Sequence, residues 1–390
     1  MSSRYKYSFI LLLLFFGCKE SFEPNLPSIP QGYLVVEGFI NAQGSTQIKL
    51  SRTTPLDQKK TFKAELNAQI KIEGDNNSSF TLSNLPNGMY VSNTLSLDAS
   101  RKYRLRIKTK DAKEYLSDFS EVKIAPPIDS INWKQESDGV RIYVNTHDLQ
   151  NKTIYYRWDW DETWEIQSAY PALYRLVRVD QNTNERIIRE TTANDPQIFY
   201  CWKYDTVKNI ILGSSAKLDE DIIYAQPVHF IPRMDERLGI RYSVQVKQYA
   251  LDKNGYQFYE QMKKNTESLG TIFDPQPSAL RGNIHCVSNP EEIVIGYVNV
   301  TSVEQARIFI SEVQLTGRGF EIYQMCESKD VANHKDSLQA ASVPTNWPYE
   351  AIFAMGSTIF PPPIIAYKVS SANCVDCTTR GGKNIKPSFW

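Results

Sequence analysis

Apolar and polar residues alternate along many short stretches of this chain, with turn residues between the stretches. From Tyr103 to Lys108 the alternation is unbroken, with apolar side chains on one face and basic side chains on the other. A period of two predicts half-buried β-strands, and turn signals at intervals of about 8–12 residues predict a sandwich. Residues 32–125 are therefore predicted to form an immunoglobulin-like or prealbumin-like β-sandwich.

Two prolines, Pro126 and Pro127, separate this segment from a larger one, residues 128–372. Proline cannot donate to a sheet ladder and keeps the preceding residue extended, so it favours a boundary. The larger segment alternates too, and its best helical pattern covers about 252–267, with Asp252 as the expected N-cap. The predicted fold class is mainly β: a sandwich, then a β-rich α+β domain with at least one helix, and a polar, cysteine-containing tail at 373–390.

The first residues have the pattern of an export signal. A basic start precedes an apolar run, Phe9–Gly17, and Cys18 follows directly. A run this short covers about half of the ~30 Å hydrocarbon core of a bilayer, which indicates a signal peptide rather than a membrane span. We interpret residues 1–17 as a lipoprotein signal peptide with Cys18 lipidated after cleavage, and residues 18–31, which contain three prolines, as a tether. An ordinary secretory signal is the alternative.

Charge and composition exclude several classes of protein. The 44 Lys and Arg residues are balanced by 44 Asp and Glu residues, which argues against a nucleic-acid binder, since such proteins need a basic surplus. Apolar residues make up 41% of the chain, which is sufficient for ordinary cores. No later apolar run approaches the length of a membrane helix. The mature protein is therefore expected to be held at a membrane by the lipid on Cys18.

Five further cysteines follow Cys18 in the sequence: Cys201, Cys286, Cys326, Cys374 and Cys377. Export permits disulfides. Cys374 and Cys377 have CxxC spacing, but a zinc site needs a second pair or nearby histidines, and a redox motif would open a helix after a strand rather than lie in a polar tail. Disulfides are expected, with free thiols or a metal as alternatives. Cys326 is expected to bond one of the CxxC pair, Cys201 is a further candidate, and at least one cysteine stays unpaired.

Aromatic and acidic residues cluster on one predicted strand. The candidate ligand surface consists of Trp158, Asp159, Trp160, Asp161, Glu162 and Trp164. Alternation places the first two tryptophans on one face and the two aspartates on the other. The favoured interpretation is a solvated strand face whose aromatic face packs inward. Carbohydrate or peptide binding, calcium binding and glycoside hydrolysis by two of the carboxylates are the alternatives.

Sequence motifs for the common chemistries are missing. The chain contains no HExxH, GxSxG, GxGxxG or GxxxxGK[ST] pattern, which argues against a zinc protease, an α/β-hydrolase and a nucleotide-binding protein. No catalytic residue, metal or cofactor is assigned from the sequence.

An ordered set of short motifs resembles a known family. The set of motifs includes Leu34–Gly38, Leu85–Tyr90, Tyr155–Trp158, Cys201-Trp202, Phe273–Ser278, Cys374–Cys377 and Lys386–Trp390. Together with the lipobox, these motifs resemble the Bacteroidota lipoproteins that carry the domain of unknown function numbered 4249. That family has no established activity. Its members are often encoded beside TonB-dependent outer-membrane receptors, so the resemblance implies such a receptor as a partner.

These observations predict a non-catalytic binding or accessory lipoprotein of the outer membrane, working beside a TonB-dependent receptor. Lys19 and Glu20 directly after Cys18 resemble the charged lipoprotein-export signals of Bacteroidota, and this resemblance favours the cell surface over the periplasmic face. The alternatives are a surface glycan hydrolase that uses carboxylates within 159–165, and a structural or adhesive surface protein. A ligand site should be concave, so the position of the aromatic and acidic residues distinguishes binding from a packed strand.

Overall fold

The computed structural model describes residues 32–54, 63–178, 186–267, 280–317, 326–334, 349–356 and 364–390. The protein is mainly β with a sandwich-like arrangement, which confirms the predicted fold class. The signal peptide, Cys18, the tether and the motif at 273–278 lie outside the described residues. In the ranges given above, no helix has the length and apolar character needed to cross a membrane.

Strands occupy most of the described chain. The first twelve are β1 (Leu34–Asn41), β2 (Ser45–Arg52), β3 (Lys63–Ala64), β4 (Gln69–Gly74), β5 (Ser79–Leu85), β6 (Met89–Thr94), β7 (Lys102–Lys108), β8 (Glu114–Ser117), β9 (Ser120–Glu121), β10 (Ile128–Gln135), β11 (Gly139–His147) and β12 (Tyr155–Gln167). The others are β13 (Tyr174–Arg178), β14 (Arg186–Glu190), β15 (Tyr200–Thr206), β16 (Ile211–Ser214), β17 (Ile222–Pro232), β18 (Arg241–Leu251), β19 (Ile284–Cys286), β20 (Val294–Ile295), β21 (Val300–Thr301), β22 (Val303–Ser311), β23 (Ser328–Ala332), β24 (Tyr349–Gly356) and β25 (Ile364–Ser371). The α-helices are α1 (Lys253–Glu267) and α2 (Ala372–Val375).

The first sheet has the order β19-β8-β7-β4-β5-β6-β2-β1-β20, with β21 on β1, β3 on β2 and β9 on β7. Its strands follow the alternating pattern. On β7, Tyr103 and Leu105 are buried in the core. The guanidinium groups of Arg104 and Arg106 point outward and both bind the carboxylate of Glu73 on β4. Each large apolar side chain buried this way contributes about 1.5–3 kcal/mol.

The boundary of the predicted second domain differs from the structure. Residues 284–301 were expected to belong to the segment 128–372, but they return to the first sheet. There β20 and β21 pair in parallel with β1, and β19 pairs antiparallel with β8. These strands have two or three residues, too few to show a period, and their partners lie far away in the sequence. No local sequence pattern could have predicted that residues 284–301 pair with the first sheet.

Two glycines let the returning segment lie directly against its neighbours. A Cβ on Gly282 would overlap the backbone carbonyl of Gly296. Gly296 itself has φ +139°, and a Cβ there would overlap the carbonyl oxygen of Val36 on β1. Because backbone atoms cannot move aside as a side chain can, both positions require glycine.

We expect Gly282→Ala to lower the free energy of unfolding by about 2 kcal/mol, the usual range for overpacking. Urea unfolding measures the loss. The matched control is Gly44→Ala, whose new Cβ would meet the flexible side chain of Asn41 instead of backbone. Equal stability of the two variants would contradict the close backbone approach.

Two more sheets face each other and enclose a second core. One has the order β10-β11-β17, and the other has the order β15-β12-β18-β22 with β16 also on β12. Between them lie the side chains of Ile142, Tyr156, Trp158, Tyr242 and Val244, all fully buried or nearly so. Because β12 is paired on both edges, its side chains are held rigidly in register with those of β15, β16 and β18.

Helix α1 confirms the helix predicted at about 252–267. The Asp252 carboxylate accepts the N–H of Gly255 at 2.6 Å and so caps the first turn. The Tyr297 hydroxyl donates to the same carboxylate at 3.0 Å. The buried Phe258 ring packs 5.5 Å from the Tyr297 ring. The helix is thereby attached to the segment that returns to the first sheet.

The C-terminal residues are integrated into the fold, although their composition predicted a polar tail. The third small sheet, β23-β25-β24, leads directly into α2, which contains Cys374. A disulfide joins Cys374 to Cys326, as expected, and a second joins Cys377 to Cys201. The CxxC pair does open a short helix after a strand, contrary to expectation, but each cysteine bonds a distant partner. Cys286 is a free, buried thiol.

Candidate functional site

A cleft of ≈ 660 Å³ opens beside β12, and we call it the β12 cleft. Strands β11, β12, β15, β16 and β17, the segment after β15 and the turn after β17 form its walls. The residues that define its chemistry are Trp160, Glu162, Trp164, Asp205, His229 and Arg237. The volume lies within the range of small-ligand sites, about 300–1,000 Å³.

Only half of the predicted ligand surface reaches this cleft. Trp160, Glu162 and Trp164 line it. They are even-numbered positions on one strand, so they share a face. The candidate surface was therefore wrong as a single patch, because it combined two faces of β12.

The remaining three candidates have structural partners elsewhere. Trp158 is fully buried, and its Nε1–H donates to the Gln248 side chain at 2.8 Å. Asp159 accepts from Arg157 at 2.9 Å on the opposite face of the strand. Asp161 forms an ion pair with Lys247 on that same face. For these positions the interpretation as an inward aromatic face and a solvated acidic face agrees with the geometry.

Glu162 departs from that interpretation, because its carboxylate lies on the aromatic face with no exposed side-chain surface. Oε2 accepts the hydroxyl of Tyr242 at 2.7 Å and contacts His229 Nε2 at 2.8 Å. Oε1 accepts from Nη1 of Arg237 at 2.9 Å. These partners come from β18, β17 and the turn after β17. Glu162 therefore connects three elements that meet behind the cleft.

The surroundings of Glu162 keep its carboxyl ionised. Burial raises the pKa of Glu162, but hydrogen bonds from His229 and Tyr242 and the charge of Arg237 outweigh burial and hold the pKa below its ordinary value. Burial and the nearby Glu162 charge raise the pKa of Tyr242 well above its ordinary value, so its hydroxyl remains a donor. A general acid needs a raised pKa to keep its proton. Glu162 has the opposite environment.

Arg237 divides its charge between two carboxylates. Its Nε and Nη2 donate to both oxygens of Asp235, at 2.9 and 2.7 Å, while Nη1 binds Glu162. Asp235 also accepts the backbone N–H of Arg237 and caps the short 3-10 turn Glu236–Leu238. Burial raises the pKa of Asp235, and the bonds from Arg237 lower it further than burial raises it. This forked pairing fixes the guanidinium plane at the edge of the cleft.

The aromatic rings of the cleft differ in accessibility. The Trp160 ring lies 3.9 Å from the imidazole of His229, centroid to centroid, and Trp160 is only 8% exposed. The Phe230 ring is covered on one side by the guanidinium of Arg141 at 4.4 Å. Trp164 is partly exposed, and its indole nitrogen is buried. Trp164 therefore presents ring carbons to the cleft.

Sequence reasoning missed most of the partners. His229 and Arg237 are 67 and 75 residues from Glu162, and neither belongs to a recognisable motif. The alternation along β12 could have placed Glu162 in the site from the sequence. Glu162 and Trp160 are two residues apart, so their side chains lie on the same face of the strand. Across the residues with described positions, no group of three His, Cys, Asp or Glu side chains could hold a metal ion.

The fold and the cleft define a mainly β protein with a concave site beside a central strand. The sequence matches the family model described as "Domain of unknown function (DUF4249)" over residues 19–307, so the chain belongs to this family. No curated protein matches the chain.

Two solved structures have a distant likeness to the chain. One is the structure titled manganese lipoxygenase of Gaeumannomyces graminis with partial zonadhesin of Komagataella pastoris, at 8% identity and a TM-score of 0.17, covering 58% of this chain and 91% of that one. Another is chitinase ChiA74 from Bacillus thuringiensis, at 8% identity and a TM-score of 0.15, covering 53% of this chain and 29% of that one. At such scores neither likeness carries a functional argument.

Proposed function

We propose that this protein is a non-catalytic ligand-binding lipoprotein of the outer membrane, attached by a lipid on Cys18 and working beside a TonB-dependent receptor. The observation that carries the binding role is the β12 cleft, which is concave, of ligand size and lined by both aromatic and polar groups. The lipobox and the resemblance to Bacteroidota lipoproteins support the location, with the cell surface favoured, and the receptor as partner.

The carboxylates of the cleft support binding over glycoside hydrolysis. Hydrolysis needs two carboxyl groups that reach the same sugar bond, one of them protonated. Glu162 has no exposed surface and a lowered pKa. Asp205 lies opposite Glu162 on β15, and hydrogen bonds from Lys208 and Thr206 hold its pKa below the ordinary value. Asp159 and Asp161 are on the other face of β12.

The lipid anchor gives a direct test of location. We expect Cys18→Ala to move the protein from the membrane fraction to the soluble fraction, because it removes the residue that would carry the lipid. Mass spectrometry of the mature wild-type N-terminus should show a diacylated or triacylated cysteine at position 18. A matched control is Cys286→Ala, which should stay in the membrane fraction. An unmodified wild-type N-terminus would contradict the anchor.

The partner is tested by purifying the tagged wild-type protein from its native membranes in mild detergent. A TonB-dependent receptor recovered in near-equal amount would support the accessory role. Recovery of the lipoprotein alone would contradict that role and leave a free-standing binder. Fragments of membrane could carry a receptor along with the tagged protein without any direct contact. The Cys18→Ala variant, which is expected to be soluble, controls for this effect.

A further inference from the structure

We propose that the β12 cleft binds an uncharged carbohydrate, with Trp164 as the surface on which a sugar ring stacks. This inference rests on the proposed binding function and names the ligand class for the same cleft. Three properties of the residues that line the cleft support this inference: their charges are paired, one indole exposes ring carbons, and polar groups suited to sugar hydroxyls are present.

The positive charges of the cleft already have partners. Arg141 pairs with Glu136 and Asp138, Arg237 pairs with Asp235 and Glu162, and Lys208 pairs with Asp205. Three cations thus face five carboxylates. An anionic ligand would have to displace one of these carboxylates or approach against their charge, and both cost free energy. The arrangement favours a ligand without net charge.

Trp164 supplies accessible apolar surface to the cleft. Trp160 is covered by His229, but Trp164 is partly exposed and presents ring carbons. Val207 and Ile211, both partly buried, extend this surface within the cleft. The C–H face of a pyranose is flat and apolar, so it stacks on an indole ring and removes apolar area from water.

Hydrogen-bonding groups lie beside the same surface. Asp205 accepts from Lys208 at 2.8 Å and from the Thr206 N–H at 2.9 Å. A carboxylate has about four acceptor positions, so hydroxyls can still bind it. The Asn209 side chain lines the cleft and makes no hydrogen bond within the described part of the chain. A carboxylate and an amide in the same cleft as an aromatic ring match the alternating hydroxyls and C–H faces of a sugar.

The test is calorimetric titration of the full mature protein with a fixed panel. The panel contains neutral hexasaccharides (gluco-, manno-, xylo-, galacto- and chito-), an oligogalacturonate hexamer and a proline-rich decapeptide. We expect a neutral hexasaccharide to bind with an affinity that changes less than about twofold between ~0.1 M and ~1 M salt. We expect Trp164→Leu to weaken that binding by about tenfold or more, and Trp164→Phe to retain most of it.

The matched control is Trp133→Leu. Trp133 is a partly buried tryptophan on β10 that packs on the same core outside the cleft, so this variant should bind as the wild type does. Circular dichroism checks that each variant is folded. The Trp164→Leu variant keeps an apolar side chain on the cluster of Ile166, Cys201 and Cys377.

The outcomes separate the inference from the proposed function. Trp164-dependent binding of the decapeptide alone would overturn the carbohydrate class and leave the binding function standing. Salt-sensitive binding of the oligogalacturonate alone would do the same. Binding of a hexasaccharide that is unchanged by Trp164→Leu would overturn the assignment of the cleft. Binding of no neutral hexasaccharide would overturn the inference, whereas cleavage of one would overturn the non-catalytic function itself.

Discussion

Replacing Glu162 by glutamine should lower the free energy of unfolding by about 3 kcal/mol, the lower end of the range for removing one partner of a buried ion pair. The variant has the same shape but no charge. Arg237 would lose one of its two carboxylates, and the new amide N–H₂ would lie among the donors of Tyr242 and His229. Urea unfolding at pH 7 measures the change.

The matched control is Asp161→Asn, the same chemical change one position earlier on β12. The Asp161 side chain is 43% exposed and pairs with Lys247 at the surface. Surface pairs contribute about 0–1 kcal/mol, so this variant should lose little. If the two variants lost the same stability, Glu162 would not be the structural centre that its contacts indicate.

The stabilisation from Glu162 should depend on pH in a definite direction. Its folded pKa is lowered, so the contribution is present above its unfolded pKa, about 4.3, and is lost as the pH falls through the folded value. The difference in stability between wild type and Glu162→Gln should therefore decrease as the pH falls below about 4. A difference that grew on acidification would contradict an ionised Glu162.

Sequence patterns over a few neighbouring residues predicted the elements that depend only on neighbouring residues, namely the faces of long strands and the capped helix. The alternation on β7 and β12 placed their side chains on the correct faces, because the period of a strand is a property of its backbone. The helix at 253–267 was found through Asp252, whose side chain caps the first turn. The pairing of β20 and β21 with β1 was not predictable, since two-residue strands show no period and the partners lie far apart in sequence.

The candidate site was predictable only in part for the same reason. Register on β12 places Trp160, Glu162 and Trp164 on one face. The alternation along β12 contains no information about the second sheet that covers part of this face. It therefore could not predict that His229 of β17 and Arg237 of the turn after β17 contact Glu162. A carboxylate among tryptophans was therefore taken for a solvated group or a catalytic one. Its actual role depends on tertiary contacts that no spacing in the sequence encodes.

The Cys201–Cys377 disulfide should be the more important of the two bonds. It closes a sequence separation of 176 residues, and Cys326–Cys374 closes 48. In the chain-entropy model these loops correspond to about 5 and about 4 kcal/mol respectively. We expect Cys201→Ser with Cys377→Ser to lower the free energy of unfolding by about 1 kcal/mol more than Cys326→Ser with Cys374→Ser.

The same bond should also affect the cleft, because it lies behind the cleft wall. Trp164 packs on the cluster formed by Ile166, Cys201 and Cys377. Just after Cys377, Arg380 donates to Glu236 at 3.0 Å, in the turn that carries Arg237. Loss of the Cys201–Cys377 bond should therefore weaken binding by the β12 cleft, while loss of Cys326–Cys374 should leave it nearly unchanged. Urea unfolding and calorimetry on the two double variants measure both effects. Equal effects of the two bonds on binding would contradict the coupling, since Trp164 packs on the cluster that contains Cys201 and Cys377, whereas Cys326 and Cys374 belong to a different cluster.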